Sequence, residues 1–205
     1  PDSHSITYQT QGNWNGIVGR ICLQTTPKVY LEDIQVYPEP EQKVARVKLM
    51  IKSSYKSTAI AQVRLSARSF NTEQRHVLPA VTHDVKVMNG IAEQEIVLPM
   101  GDDMLLWDEF NPALYKLTAE ISTGKGKEKE VKEIQFGMRR FEIKGKWFYV
   151  NGRKTMLRGT VENCDFPLTG YAPMDVESWE RVFRICRSYG LNHMRFHSFC
   201  PPEAA

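Results

Sequence analysis

The chain has 205 residues, 41% apolar and 25% charged, with a formal net charge of +3. That composition suits packed globular structure and excludes a disordered chain; the length allows one large or two small domains. Its basic residues are too scattered to argue for nucleic acid, and no apolar run approaches the ~20 residues of a membrane span.

The first residues are polar and do not read as a signal peptide. Residues 12–16 are turn-rich, and residues 17–24 read as a short apolar strand that Pro27 ends. From residue 28 to about 136 the pattern is all-β. Residues 29–37 form a strand closed by Pro38-Glu39-Pro40. Residues 44–53 alternate, with Ala45, Val47, Leu49 and Ile51 opposite Arg46, Lys48 and Lys52. Residues 58–70 alternate again, with Ala61, Val63 and Leu65 opposite Gln62, Arg64 and Ser66. A period of two with one polar face marks a half-buried antiparallel strand. Residues 81–87 and 91–98 read as strands joined by a hairpin turn at Asn89-Gly90. Residues 113–122 alternate with Tyr115, Leu117, Ala119 and Ile121 on one face, and residues 128–136 close the series. The Lys/Glu run 125–132 reads as a solvated strand edge or hairpin.

About seven short strands between turn signals is the count of an immunoglobulin-like β-sandwich. Tyr115 is either a tyrosine-corner residue or an ordinary core aromatic. Trp107 is expected to pack the base of the sandwich or a domain interface.

Beyond the sandwich, residues 141–143 and 147–150 form a hairpin, and Asn151-Gly152 turns the chain into a strand at 155–158. A polar loop, 159–174, carries Glu162, Asn163 and Asp165. A helix then starts behind the N-cap Asp175, with Trp179, Val182, Phe183 and Cys186 on its packing face and Gly190 just past its end. A strand at 191–196 follows at once. Strand, helix, strand is the opening of a parallel β/α architecture, whose functional groups sit beyond the C-terminal ends of the strands. On the second strand alternation puts His193, Arg195 and His197 on one face, and turns Met194 and Phe196 to the helix. Cys22, Cys164, Cys186 and Cys200 show no CxxC spacing, so neither a structural zinc site nor any other cofactor is expected. Cys186 reads as a small core residue. For Cys164 and Cys200, both in loops, free thiols and a mutual disulfide stay open.

Several of these segments carry a resemblance. Phe136-Gly137, Arg139, Asn151-Gly152, Arg158-Gly159, Asn192 and Arg195 stand in the order and context found at the start of the catalytic barrel in glycoside hydrolase family 2. That family includes β-galactosidases, β-glucuronidases and β-mannosidases. The segment LLWDEFNPALYKLTAEI resembles a sandwich strand of the family, and NWNGIVGRICLQ the end of its N-terminal jelly roll. The resemblance implies three parts: a jelly-roll remnant over 1–26, an immunoglobulin-like sandwich over 27–137, and, over 138–205, a hairpin with the first unit of an incomplete (β/α)8 barrel. It implies a carbohydrate substrate, retaining hydrolysis of O-glycosidic bonds, and a periplasmic or secreted setting. Retaining enzymes need two carboxylates about 5–5.5 Å apart; the resemblance puts both beyond Ala205, so this chain is expected to be inactive.

For the sites, the resemblance implies that Arg195 supports a catalytic carboxylate. His197, Asn163 and Asp165 are candidate sugar ligands, and Arg158 a support at the barrel mouth. Two departures from the family pattern mark a divergent subfamily: Asn163 stands where a histidine is usual, and His197 is displaced by one position. Glu162 and Asp165 share one loop, and nothing local makes them face each other across a sugar. The competing reading is a non-catalytic sandwich module that binds carbohydrate or protein. In either case the apolar face of an unfinished barrel, with Trp179 and Phe183, needs a cover, from the sandwich or by self-association.

Overall fold

The computed structural model describes residues 21–55, 57–124, 128–163, 165–197 and 199–205. Its strands follow the alternation of the sequence closely. In chain order they are β1 (Val29–Glu39), β2 (Val44–Ser53), β3 (Ala59–Ser69), β4 (Val81–Val87), β5 (Ile91–Pro99), β6 (Tyr115–Thr123) and β7 (Glu128–Phe136). They form two antiparallel sheets, one ordered β1-β2-β5 and the other β4-β3-β6-β7. One buried cluster draws on both. Ala45, Val47, Leu49 and Ile51 of β2 belong to it, as do Ala61, Val63, Leu65 and Ala67 of β3 and Tyr115, Leu117, Ala119 and Ile121 of β6. Each fully buried Leu, Ile or Val contributes about 1.5–3 kcal/mol relative to exposure, so the apolar face of each strand fixes its register.

Asn89-Gly90 differs from expectation in its consequence. Both residues have positive φ, 53° and 83°, and Ile91 N donates to Met88 O at 3.2 Å, so the tight turn forms. The flanking strands nevertheless do not make a hairpin: β4 pairs β3 in one sheet and β5 pairs β2 in the other. Val85 and Val87 of β4, like Ile96 and Leu98 of β5, are buried in the common core. Burial on two opposed sheets outweighs the local ladder.

The Lys/Glu run closes an edge. In its described part, Leu31 N donates to Glu130 Oε2 at 2.7 Å, and Lys132 Nζ donates to Leu31 O. These β7 side chains satisfy the β1 backbone where its register shifts between Leu31 and Asp33. A bulge leaves such groups unpaired, and charged edges resist intermolecular pairing.

Trp107 is half-buried against the segment that leaves β7. Its main-chain N–H donates to Met138 O at 3.0 Å, and the Arg139 guanidinium lies 4.8 Å from its ring centroid. A Cβ on Gly137 would stand 3.0 Å from Trp107 Cβ, which explains the glycine. A third sheet, β8 (Phe141–Lys144), β9 (Trp147–Val150) and β10 (Arg153–Thr155), is ordered β10-β9-β8. Asn151 turns the chain between its last two strands with φ 50°, and its side-chain amide donates to Trp107 O at 2.9 Å. Residues 24–155 form one compact unit, and residues 156–205 belong to another.

The second unit contains β11 (Gly159–Glu162), the helix α1 (Val176–Ser188) and β12 (His193–Phe196). It corrects the expected strand at 155–158: the ordered strand begins at Gly159, and residues 156–158 run into it without ladder pairing. Asn192 explains the shift. Its side chain accepts from Arg158 N at 2.8 Å and donates to Met156 O at 3.1 Å, taking the place of a neighbouring strand. The second strand is correspondingly shorter than expected, starting at His193. The expected strand at 17–24 lies mostly outside the described residues, and residues 21–24 are not a strand.

Candidate functional site

β11 and β12 pair in parallel, with Gly159 opposite His193, Val161 opposite Arg195 and Glu162 opposite Phe196. A crossover of this kind places a helix over one face of the pair. The helix begins as expected: the Asp175 carboxylate accepts from Ser178 N at 2.8 Å and Ser178 Oγ at 2.9 Å. Those hydrogen bonds hold the carboxyl below its ordinary value. At the far end Gly190, with φ 76°, lets the chain leave the helix. Trp179 is buried, Val182, Phe183 and Cys186 are half-buried, and Glu180, Arg181, Arg184 and Arg187 are exposed, as the helical spacing requires.

Trp179 lies at the centre of a ring cluster. Its centroid is 5.8 Å from Phe183, 5.8 Å from Phe196 and 6.2 Å from Phe166. Phe199 stands 5.6 Å from Phe196 and 6.2 Å from Phe166. The indole N–H donates to Pro173 O at 2.8 Å. Trp179 therefore finds cover within the unit, from Phe183 of its own helix, Phe196 at the end of β12 and Phe166 in the segment after β11. Sequence reasoning missed Phe166 and Phe199; an apolar ring a few residues past each strand end, in an otherwise polar loop, was the available signal.

The structure brings part of the expected site together. Glu162 ends β11, and its main-chain oxygen accepts from His197 N at 2.8 Å. Its carboxylate accepts weakly from Asp165 N at 3.4 Å. Asn163, Asp165 and His197 thus lie beyond the C-terminal ends of the parallel pair, next to Glu162 at the end of β11, with Asn163 and Asp165 exposed and His197 half-buried. The Glu162–Asp165 contact folds the turn onto itself and does not set two carboxyl groups across a cleft. Arg195 lies one step back on β12, exposed on the face it shares with His193, and makes no ion pair with another described residue. Met194 and Phe196 turn to the helix side, as the alternation requires.

Arg158 is not a member of that group. It precedes β11, at the opposite end of the sheet, where its Nε donates to Gly190 O at 2.8 Å and its Nη1 to Met156 O at 3.4 Å. It clamps the turn that leads from the helix into β12. Cys186 and Cys200 are free thiols; Cys164 and Ser198 lie outside the described residues. Among the described residues no group of His, Cys, Asp and Glu could hold a metal ion, and no helix is long and apolar enough to cross a membrane.

Gly159 sets how close the strands come. A Cβ there would stand 2.8 Å from His193 Cδ2 and 3.1 Å from His193 O. Gly159→Ala is therefore expected to lower the stability of this unit by about 1–3 kcal/mol, the cost of overpacking. Denaturant unfolding followed by amide exchange in residues 159–162 and 193–196 measures it; unchanged protection would mean that the pair adjusts freely.

The family model for glycosyl hydrolases family 2 matches residues 29–139. The chain belongs to glycosyl hydrolase family 2. A β-galactosidase of Oenococcus oeni is 23% identical over 193 residues, covering 92% of this chain and 19% of that enzyme. The β-galactosidase large subunit of Latilactobacillus sakei is 27% identical over 168 residues, covering 80% of this chain and 25% of that protein. A family 2 member from Bacteroides cellulosilyticus superposes with a TM-score of 0.74 at 19% identity, over 87% of this chain and 23% of that one. Parabacteroides merdae β-glucuronidase superposes with a TM-score of 0.65 at 23% identity, over 87% of this chain and 22% of that one. At these identities the superpositions establish the fold. The chain spans 19–25% of the length of these two curated relatives.

Proposed function

We propose that this family 2 chain is a portion of a longer retaining exo-glycosidase that acts on O-glycosidic bonds in oligo- or polysaccharides. In this reading residues 1–26 end a jelly-roll sugar-binding domain, and residues 27–137 are an immunoglobulin-like sandwich. Residues 138–205 supply a hairpin and the first β/α unit of a (β/α)8 barrel. The observation that carries the reading is the parallel β11–α1–β12 unit. Glu162 closes its first strand and Asn163, Asp165 and His197 gather beyond its C-terminal strand ends, the end at which barrel enzymes hold their substrates.

Asn163, Asp165 and His197 then offer hydrogen bonds to sugar hydroxyls. Arg195 is a positioning residue, whose charge keeps a nucleophilic carboxylate ionised. Arg158 supports the unit from the opposite strand end. Both catalytic carboxylates belong to later barrel strands, so the chain of 205 residues binds no transition state of its own.

The test is hydrolysis of aryl β-galactoside, β-glucuronide and β-mannoside by this chain and by a longer protein that contains it. The expected result is no turnover by the chain, and hydrolysis with retained anomeric configuration by the longer protein. In the longer protein, Arg195→Met moves the acid limb of kcat/KM to higher pH, because loss of a nearby positive charge raises a carboxylate pKa. Turnover by the chain itself, or inversion by the longer protein, overturns the reading.

A further inference from the structure

The small β8-β9-β10 sheet presents a face that the glycosidase reading does not use. Lys144 pairs Trp147 across β8 and β9, and Lys154 pairs Tyr149 across β10 and β9. Directly paired residues share a face of a sheet, as do residues two apart on a strand. Trp147, Tyr149, Lys144 and Lys154 therefore lie on one side, with Lys146 in the turn beside them.

The ammonium groups are gathered by the rings. Lys154 Nζ lies 3.2 Å from the Trp147 centroid, and Lys146 Nζ lies 5.6 Å from the same centroid. Lys144 Nζ lies 5.3 Å from the Tyr149 centroid. Cation–π attraction accounts for each contact singly, but it also collects like charges around one indole. Glu142 relieves only Lys144: its carboxylate is shared between Arg140 at 2.9 Å and Lys144 at 3.2 Å. Among the described residues Lys146 and Lys154 have no carboxylate partner. Both are exposed, and Trp147 is 37% exposed.

We propose that this face is a binding site for an acidic saccharide, a glycan chain carrying carboxylate or sulfate groups. The charge calls for an anion, and the aromatic rings hold the ammonium groups in position before it arrives. A single-stranded nucleic acid fits less well, because it relies on bases stacking on open aromatic faces. Here Lys154 already occupies a face of Trp147. A chain of spaced anionic groups needs only the ammonium ions.

The test uses the chain of 205 residues and titration calorimetry against four probes: a heparin-type sulfated glycan, polygalacturonate, neutral dextran and oligo-dT. Binding to either acidic glycan and not to dextran is expected, weakening as salt rises. Tighter binding of the sulfated probe identifies sulfate as the preferred group; tighter binding of polygalacturonate identifies carboxylate. The double variant Lys146→Gln, Lys154→Gln is expected to bind at least about tenfold more weakly, a difference of about 1.4 kcal/mol. Arg153→Gln is the control: Arg153 pairs Val150 and so lies on the opposite face of the sheet. It should bind like the unchanged chain, and circular dichroism checks that both variants keep their fold. The site is overturned if neither acidic glycan binds, if Arg153→Gln loses as much affinity as the double variant, or if oligo-dT binds as tightly as the glycans.

Discussion

Trp179→Ala is expected to unfold the β11–α1–β12 unit while leaving the sandwich intact. Among the described residues from 156 to 205 only Ala172 and Trp179 are fully buried, so the indole is the centre of that unit's core. Removing a buried Trp costs about 3–5 kcal/mol, against about 5–15 kcal/mol for whole domains. The loss also removes the ring at which Phe166, Phe183 and Phe196 all meet, leaving Phe166 and Phe196 joined through Phe199. Amide exchange reads the outcome residue by residue. Protection should vanish in residues 159–162, 176–188 and 193–196, and persist in β2, β3 and β6. Trp179→Phe keeps a ring but loses the N–H bond to Pro173 O, so its loss should be smaller. If Trp179→Ala leaves the helix protected, the unit draws its stability from elsewhere.

The contrast between the two units shows what the sequence could tell. In the sandwich, alternation located the strands almost to the residue, because each apolar face is buried in one core and a slip by one residue would expose it. Partner choice was less legible. Asn89-Gly90 carries a strong hairpin signal, yet β4 and β5 part to different sheets, and that depends on opposed surfaces far apart in the chain.

In the second unit the helix was legible from its cap, its spacing and Gly190. The first parallel strand was misplaced by four residues for two reasons. Asn192 replaces a strand partner with its side chain along residues 156–158, which leaves no periodic mark. Gly159 looks like a loop signal, but it is needed because His193 approaches so closely. The shift moved Glu162 from loop to strand end and put Arg158 at the other end of the sheet. The face of Arg195 was legible because alternation on β12 is simple; His197 lies one residue past that strand. What these side chains face was not, because alternation assigns a side of the strand and says nothing of what packs there.

Tyr115→Phe separates a tyrosine corner from an ordinary core aromatic, and a loss of about 1–3 kcal/mol is expected. The ring is fully buried, stacked on Phe136 at 5.4 Å and edge-on to His76 at 5.6 Å. Phenylalanine keeps all of that. What it removes is the hydroxyl, which accepts from Leu105 N at 2.8 Å and bonds His76 Nδ1 at 2.6 Å. Leu105 is 9% exposed, so its N–H has little access to replacement water, and a buried donor left unpaired costs its full desolvation. His76 is half-buried and can turn to solvent. A loss near zero on chemical denaturation would make Tyr115 a packing residue only. The pH dependence gives an independent reading. Burial pushes the Tyr115 phenol above its ordinary value of 10.0, with the Leu105 bond acting the other way as the smaller effect. A group whose pKa is higher in the folded state stabilises fully below its unfolded pKa, and that contribution is lost as pH rises toward the folded value. The stability gap between the tyrosine and phenylalanine chains should therefore be constant up to about pH 9 and narrow above pH ~10. Denaturant midpoints of both chains across that range measure it. A gap that stays constant into strong alkali would mean the phenol ionises as readily in the folded chain as in the unfolded one.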